Sequence, residues 1–535
     1  MACQTPDTII YDDNDVVVAD VPPPTISGGT LLVTADQVRA VAADSDRDLI
    51  WVVNLQTGAF ERSIALEQFD EPGRLVEDAS GLVHVVLRRA GAIATVNAVT
   101  GEVVRRTNVC GAPRGIAFDS VKSQIHVACA NGQLVTFDSS TFNVVRTVQL
   151  DNDLRDVLVV GEFLVVSRFR SPEVLSVNAE GVVVSRAKPE VATTSDFSGD
   201  GSGGAPAVHF SPTVAWRTIL TPAGQIAMVH QRGKDEEIDT EIPGGYGSEG
   251  CGSIVHGAVT TFDIDSEGNL TTYGAALSRL PSVLPVDIAV NPLANGSGNV
   301  GDFAVAVAGD RKVVTLSDVD TQIPADTACS NEGTHLGVAP IAVAYWEGQI
   351  IAQTRQPPAI QLLSSDVRIA LPGEGVRDTG HDLFHSPPVF AGTKPNVPEE
   401  EIQVIPNAIA CASCHPEGGD DAHVWNFINF GPRRSQTLRG GILQTAPLHW
   451  DGDMAGLDTI MNEVFVTRMG GAEQGEPRIR AMENWVDQIP APASMRSPDD
   501  EAALRGKLIF RERGGGLFRL SQRSDVHKQS KRRRG

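Results

Sequence analysis

Short runs of apolar residues alternate with polar turns along most of the chain. From Ile50 the sequence reads IWVVNLQTGAFERSIAL: apolar residues up to an Asn, a polar turn, then a returning run rich in alternating side chains. The phrase recurs as IATVNAVTGEVVRRTNV from Ile93, LVTFDSSTFNVVRTVQL from Leu134 and VLSVNAEGVVVSRAK from Val174. The shared Asn or Asp falls at Asn54, Asn97, Asp138 and Asn178, spaced 43, 41 and 40 residues apart, and Gly58 and Gly101 stand in two of the turns. Period-two alternation on both sides of a polar turn predicts a β-hairpin.

Such a hairpin cannot bury its face alone, and a repeat of roughly 40 residues is that of blades stacked radially. Weaker copies follow as VTTFDIDSEGNLTTYGA from Val259, KVVTLSDVDT from Lys312 and AIQLLSSDVRIAL from Ala359. The pattern predicts an all-β propeller of about seven blades over residues 30–372, after an N-terminal extension, 1–29. A glycine-rich insert, 190–258, containing SDFSGDGSGG and IPGGYGSEGCGS, reads as loop. Further on the period changes. Leu457, Ile460, Met461, Val464 and Phe465 trace one helical face, and Ile479, Met482, Trp485, Val486 and Ile489 trace another that stops before Pro490. The chain thus reads as multidomain, a propeller followed by a small all-α unit.

Composition narrows the function. The 52 Gly and 32 Pro in 535 residues suit many turns and short strands. A net charge of −23 argues against nucleic acid as a partner, because phosphate binding needs a cationic face. The exception is 511–535, where nine Lys or Arg face two Asp or Glu, a local +7 that leaves −30 on the remainder. No run approaches the ~20 apolar residues of a membrane helix, so no transmembrane segment is expected. The opening MACQTPD resembles the end of a bacterial lipoprotein signal, which makes Cys3 a candidate lipid anchor. Cys110, Cys129, Cys251 and Cys329 allow three pairings; in an exported protein Cys110 with Cys129 and Cys251 with Cys329 is a plausible set, and in the cytosol all four stay free.

The chemistry concentrates in IACASCHP, 409–416. Covalent haem needs two thiols spaced to meet the two vinyl groups and a His beside the second to present an imidazole to iron. Cys411, Cys414 and His415 supply that order, with the two Cys as covalent anchors and His415 as the proximal ligand. The rivals are a zinc half-site and a redox dithiol. Zinc wants four ligands, and no Cys follows Cys414. A thioredoxin-like dithiol wants a βαβ setting that the flanks lack.

Those flanks read RDTGHDLFHS, then RRSQTLRGGILQTAPLHWDGD, then RIRAMENWVDQIPAP. Over 377–493 they resemble the bacterial di-haem cytochrome c peroxidase family, which includes MauG. Gly380 to Phe384 match the helix before the haem motif, Thr437, Leu438 and Arg439 the segment that packs on haem, and Trp450, Asp451 and Gly452 the start of the next helix. The resemblance implies a mono-haem cytochrome c domain at 377–495 and a role for Trp450 as an electron relay between haems. Arg433, Arg434 and Arg439 are candidate propionate partners, since planar guanidinium suits carboxylate. Candidate sixth ligands are Met454, Met461, Met469 and His423, with Met469 preferred. The propeller resembles the Asn-rich, seven-bladed propellers of bacterial surface and periplasmic proteins, an architectural likeness that leaves its ligand open.

Family peroxidases carry two haems. Here AALRGKLIF repeats the Gly and Phe spacing at Gly506 and Phe510, so 500–510 reads as the start of a second cytochrome domain, yet no Cys follows. The basic segment 511–535 is therefore expected to be non-native or disordered, the product of an interrupted reading frame. The function expected is a haem c redox protein of the peroxidase/MauG type, in the periplasm or on the outer surface of a bacterium. It carries one haem as written and two in the family form, with a calcium site between haem domains implied by the family. Its partners would be a redox protein or small electron donor and hydrogen peroxide. With one haem the expectation is electron transfer; with two, a peroxidase-like oxidoreductase. The alternative is a cell-surface propeller binding protein carrying a haem sensor or a degenerate cytochrome domain.

Overall fold

The recurring phrase is the outer half of each blade. In the computed structural model, Leu49–Asn54 pairs with Ala59–Ala65, Ala92–Asn97 with Glu102–Asn108, and Gln133–Asp138 with Val144–Gln149, all antiparallel. The shared residue earns its place at the turn: Asn54 Oδ1 accepts from Thr57 N at 2.9 Å, Asn97 Oδ1 from Thr100 N at 3.0 Å, and Asp138 Oδ1 from Thr141 N at 2.8 Å. The structure describes residues 15–195, 207–241, 245–246, 253–273, 282–293, 303–316, 333–365, 367–388, 409–492 and 501–512. Cys3, Cys251, Cys329 and nearly all of the basic segment lie outside these ranges.

Seven antiparallel sheets follow one another along the chain, at 31–65, 72–108, 113–149, 154–187, 192–273, 285–335 and 340–370. Their innermost strands pack side by side in a closed ring, giving a seven-bladed β-propeller. No strand is exchanged at the closure, since blades one and seven are each built from continuous chain. Side chains join them instead. Gln353 Nε2 donates to Ala43 O at 2.8 Å, Trp346 Nε1 donates to Gln37 O at 2.9 Å, and Trp51, Ile351, Ile360 and Leu371 share one apolar cluster. Cys110, in the connection from blade two to blade three, forms a disulfide with Cys129 at the end of the second strand of blade three.

Blade five corrects the reading of 190–258 as a loop-like insert. Ala192–Ser195, Ala207–Leu220 and Ile226–Lys234 lie inside that stretch and supply three of the blade's five strands. The two glycine-rich runs that suggested a loop, 195–204 and 242–253, fall mostly outside the described residues. Bulges between Pro212 and Arg217 let the 14-residue strand serve the ring with one end and extend past it with the other. Beyond the extension, Ile238 bridges to Phe427, with Ile238 N donating to Asn426 O at 2.8 Å.

The segment 377–492 sits on this end of the ring and is not all-helical. Helix α1 (Thr379–His385) packs on helix α3 (Glu476–Asp487), and α2 runs from Leu457 to Arg468 with its last eight residues in π-helical form. A hairpin, Val424–Phe427 with Gly431–Arg434, interrupts the helices, because VWNF alternates with period two and Gly431 takes φ 66. The predicted helical faces are buried where they matter: Leu457, Met461 and Phe465 on α2, and Met482, Trp485 and Val486 on α3. Gly380 permits the α1/α3 contact, since a Cβ there would lie 2.4 Å from Ala481 O and 2.6 Å from Trp485 Cβ.

The segment shares one continuous apolar core with blades five to seven. Residues from the N-terminal extension also bind to it: Val17 N donates to Thr379 Oγ1 at 3.0 Å, and Trp485 Nε1 donates to Pro23 O at 2.9 Å. The stretch 500–510, expected to open a second cytochrome domain, falls almost wholly in a helix, Glu501–Glu512, whose Leu504, Leu508 and Ile509 are exposed. Among the described residues no helix is long and apolar enough to cross a membrane.

Candidate functional site

Cys411–Cys414 is a single helical turn entered from extended Ala410. Ser413 Oγ accepts from Ala410 N at 3.2 Å, and Ser413 O accepts from Gln231 Nε2 of blade five at 2.9 Å, so the propeller helps to hold the turn. His415 N closes it onto Cys411 O at 2.9 Å. His415 Nδ1 lies 3.2 Å from Gly419 O. A carbonyl only accepts, so Nδ1 carries the proton and Nε2 keeps the lone pair that a metal requires.

Cys411, Cys414 and His415 all line one cavity of about 600 Å³. Its walls are mostly apolar, with Phe384, Leu457, Phe465 and Val486 among them, and the volume lies within the ~300–1,000 Å³ of ligand pockets. Burial pushes the Cys411 thiol up to about 12 and the Cys414 thiol well above its usual range, with Asp421 adding to the latter. Burial likewise lowers His415, against opposing contacts with the Gly419 and Gln436 backbone and the Asp420 charge. Both thiols and the imidazole are therefore neutral at neutral pH. A reactive dithiol needs a depressed thiol pKa, which burial denies here. No cluster of three His, Cys, Asp or Glu that could hold a metal occurs among the described residues.

The sixth-ligand candidates separate. Met461 and Met469 line the cavity. Met454 lies off it, in a bridge with Leu448, and His423 is turned away, donating from Nε2 to Lys234 O at 3.0 Å and stacked edge-on against Trp425. Trp450 also lines the cavity, between Phe427 at 4.6 Å and His449 at 4.2 Å between ring centroids.

Arg433, Arg434 and Arg439 do not reach the cavity. Arg433 faces Asp451 at 3.5 Å, Arg434 faces Asp420 at 3.3 Å, and Arg439 Nε donates to Pro490 O at 2.9 Å. Acidic and carbonyl partners beside them in the fold capture all three. Among the cavity residues that went unnoticed in the sequence are His449, Arg468 and Tyr246 of blade five. His449 directly precedes the Trp-Asp-Gly motif and Arg468 directly precedes Met469, adjacency that was the available signal.

Two residues past His415, Glu417 takes φ 51 and enters the propeller. Its carboxylate meets Arg155 Nη1 at 2.6 Å, Arg88 Nη2 at 3.2 Å, Arg114 Nη2 at 3.6 Å and the Ser27 hydroxyl at 2.6 Å. Burial would raise its pKa, but Arg88, Arg155 and Arg114 outweigh burial and hold the carboxyl well below the usual carboxylate range. Arg74, Arg114, Arg155 and Arg217 come one each from the inner strands of blades two to five. Arg74 and Arg217 pair with Asp156 and Arg155 with Glu417, so these inner-strand charges are matched within the propeller and by Glu417. Arg170 adds a second tie, to Asp420 at 2.6 Å.

No protein-family model matches the sequence, and no curated protein matches it. Among solved structures the chain is similar to hydrazine synthase of Kuenenia stuttgartiensis at 16% identity, covering 68% of this chain and 99% of that one, with a TM-score of 0.47. It is also similar to a streptogramin B lyase at 10% identity, covering 63% of this chain and 93% of that one, with a TM-score of 0.41. A third likeness is to virginiamycin B lyase of Staphylococcus aureus at 13% identity, covering 63% of this chain and 94% of that one, with a TM-score of 0.40.

Proposed function

We propose that the chain is a c-type haem redox protein whose 377–492 segment holds one haem and transfers electrons, in the manner of the cytochrome c peroxidase/MauG type. The observation that carries this is the cavity of about 600 Å³ lined at once by Cys411, Cys414 and His415. The residues fit the group. Two thiols at the attachment spacing, an imidazole with its Nε2 lone pair free of the Gly419 contact, two thioethers and apolar walls are what covalent haem requires. A haem bound there supplies one-electron chemistry at iron.

The chain's own residues have separable tasks in this reading. Cys411 and Cys414 anchor, His415 ligates through Nε2, and Gly419 O fixes the ring and raises its basicity through the Nδ1–H contact. Met469, which lines the cavity, would supply the thioether to a bound haem, and a thioether favours the reduced iron. The apolar walls exclude water, and Trp450 extends the π system from the cavity toward Phe427 and Phe430. Haem attachment in bacteria occurs outside the cytoplasm, so the reading places the protein in the periplasm or on the outer surface. The Cys110–Cys129 disulfide supports an oxidising compartment.

Expression with a haem c maturation system and a pyridine haemochrome spectrum test the proposal: a c-type α band is expected, and its absence ends the reading. Peroxide-dependent oxidation of an electron donor then separates a peroxidase from a protein that only transfers electrons.

A further inference from the structure

The arginine that reaches the cavity is Arg468, 6% exposed. Three other buried guanidinium groups meet a carboxylate: Arg74 meets Asp156, Arg155 meets Glu417 and Arg355 meets Asp46. Arg468 differs: among the described residues its side-chain partners are neutral, the Tyr246 hydroxyl at 3.5 Å and His449 Nε2 at 3.4 Å. His449 Nδ1 lies 3.1 Å from Asp453 Oδ1, so that nitrogen donates to the carboxylate and Nε2 is left to accept from Arg468. A guanidinium stays charged in a protein, and removing it from water is costly unless a counter-charge comes close.

The arrangement is held in place. Tyr246 N donates to Arg468 O at 2.9 Å, and Ile254 N donates to Tyr246 O at 3.1 Å, fixing the propeller's tyrosine beside the arginine. The Phe430 ring lies 5.7 Å from the guanidinium carbon. His449 keeps φ 71, a conformation that is strained for a non-glycine residue and persists where the surroundings over-determine it. A fixed, buried, uncompensated fork of N–H donors beside a hydroxyl, on an apolar cavity, is a seat for a carboxylate.

We propose that Arg468, with the Tyr246 hydroxyl, is the carboxylate-binding point of this cavity, and that the carboxylate is a propionate of the haem. The second clause rests on the haem reading above. It moves the propionate role from Arg433, Arg434 and Arg439 to one residue of α2 and one of the propeller, making blade five part of the cofactor seat.

The test uses the matured full chain and the variants Arg468→Gln, Arg468→Lys and Tyr246→Phe. Resonance Raman propionate-bending bands and the midpoint potential are the readouts. Arg468→Gln is expected to shift the band and lower the potential, because a cation favouring reduced iron is gone. Arg468→Lys recovers the potential but not the band, and Tyr246→Phe shifts the band. With haem attachment verified, an unchanged band and potential in Arg468→Gln overturn the proposal and leave the haem reading intact. Should Arg468→Gln fail to fold, an unchanged band in Tyr246→Phe overturns it instead. Benzoate added to the same protein separates the sources of carboxylate: no spectral response is expected with a propionate in place. A saturable response lost in Arg468→Gln overturns the propionate assignment in favour of a diffusible ligand. If no haem attaches, the haem reading fails, and calorimetry with benzoate on the purified chain decides the site: binding that Arg468→Gln abolishes supports it, and no binding overturns it.

Discussion

Replacing Glu417 with Gln is expected to weaken the join between the cofactor segment and the propeller by about 3–5 kcal/mol, the usual cost of breaking a buried ion pair from one side. Gln keeps the shape, the backbone at φ 51 and an acceptor for Ser27, so the change isolates charge. What remains is Arg155, 0% exposed, hydrogen-bonded only to neutral groups among the described residues (Trp216 O, Ser27 O and the Ser27 hydroxyl) and lying 4.2 Å over the Phe169 ring, with Arg88 and Arg114 close by. The pH dependence has a definite sign. A carboxyl held well below its usual range stabilises the fold above the unfolded pKa of ~4.3, and that contribution is lost as pH falls through the folded value. The parent should therefore lose the join in acid, and Glu417→Gln should lack that step. Urea unfolding followed by tryptophan fluorescence measures both, and a double-mutant cycle with Arg155→Gln should return a coupling near the upper end of ~0.5–3 kcal/mol. A loss under about 1 kcal/mol, typical of a solvent-exposed pair, together with additive single mutants, would refute the reasoning.

Other outcomes follow from the same contacts. Gly380→Ala places a methyl 2.4 Å from Ala481 O and is expected to cost at least the ~1–3 kcal/mol of an overpacked core, read as a lower melting temperature; an unchanged value means α1 and α3 are not packed as described. Burial raises Asp287 to about 6, above its unfolded value of ~3.9, so the folded state holds this proton more tightly and stability falls as pH rises between roughly 4 and 6. Asp287→Asn should flatten that fall by up to about 1.4 kcal/mol per pH unit, and an unaltered slope in the unfolding free energy contradicts it. Met469→Ala should abolish the sulfur-to-iron absorbance of the haem protein and lower its potential, with Met461→Ala leaving both in place. The reverse result transfers the ligand role to Met461.

What the sequence reveals follows from where each contact closes. The outer hairpins were legible because their alternation and turn Asn or Asp are local, repeating at Asn54, Asn97, Asp138 and Asn178. Inner strands were not, since their channel-facing Arg74, Arg155, Arg217 and Asp287 break the apolar pattern and find their partners on other blades or on Glu417. Strands hid in blade five for a related reason: glycine-rich segments flank them, and a bulged strand longer than its neighbours matches no copy of the repeat. The motif residues were plain from spacing alone, whereas Tyr246, His449 and Arg468 meet at the cavity from three separate stretches. Arg433 and Arg434 misled because a pair of arginines near a haem motif satisfies the chemistry in sequence while Asp451 and Asp420 satisfy the arginines in space.

The central claim is that Cys411, Cys414 and His415 seat a covalent haem in this cavity. Intact-mass analysis of the matured chain, followed by mapping of the modified peptide, addresses it most directly. The account predicts one haem per copy of the 377–492 segment, bound through thioethers at both Cys411 and Cys414 and lost when both are changed to Ala. Unmodified thiols at both positions, from cells that mature other c-type cytochromes, would contradict it.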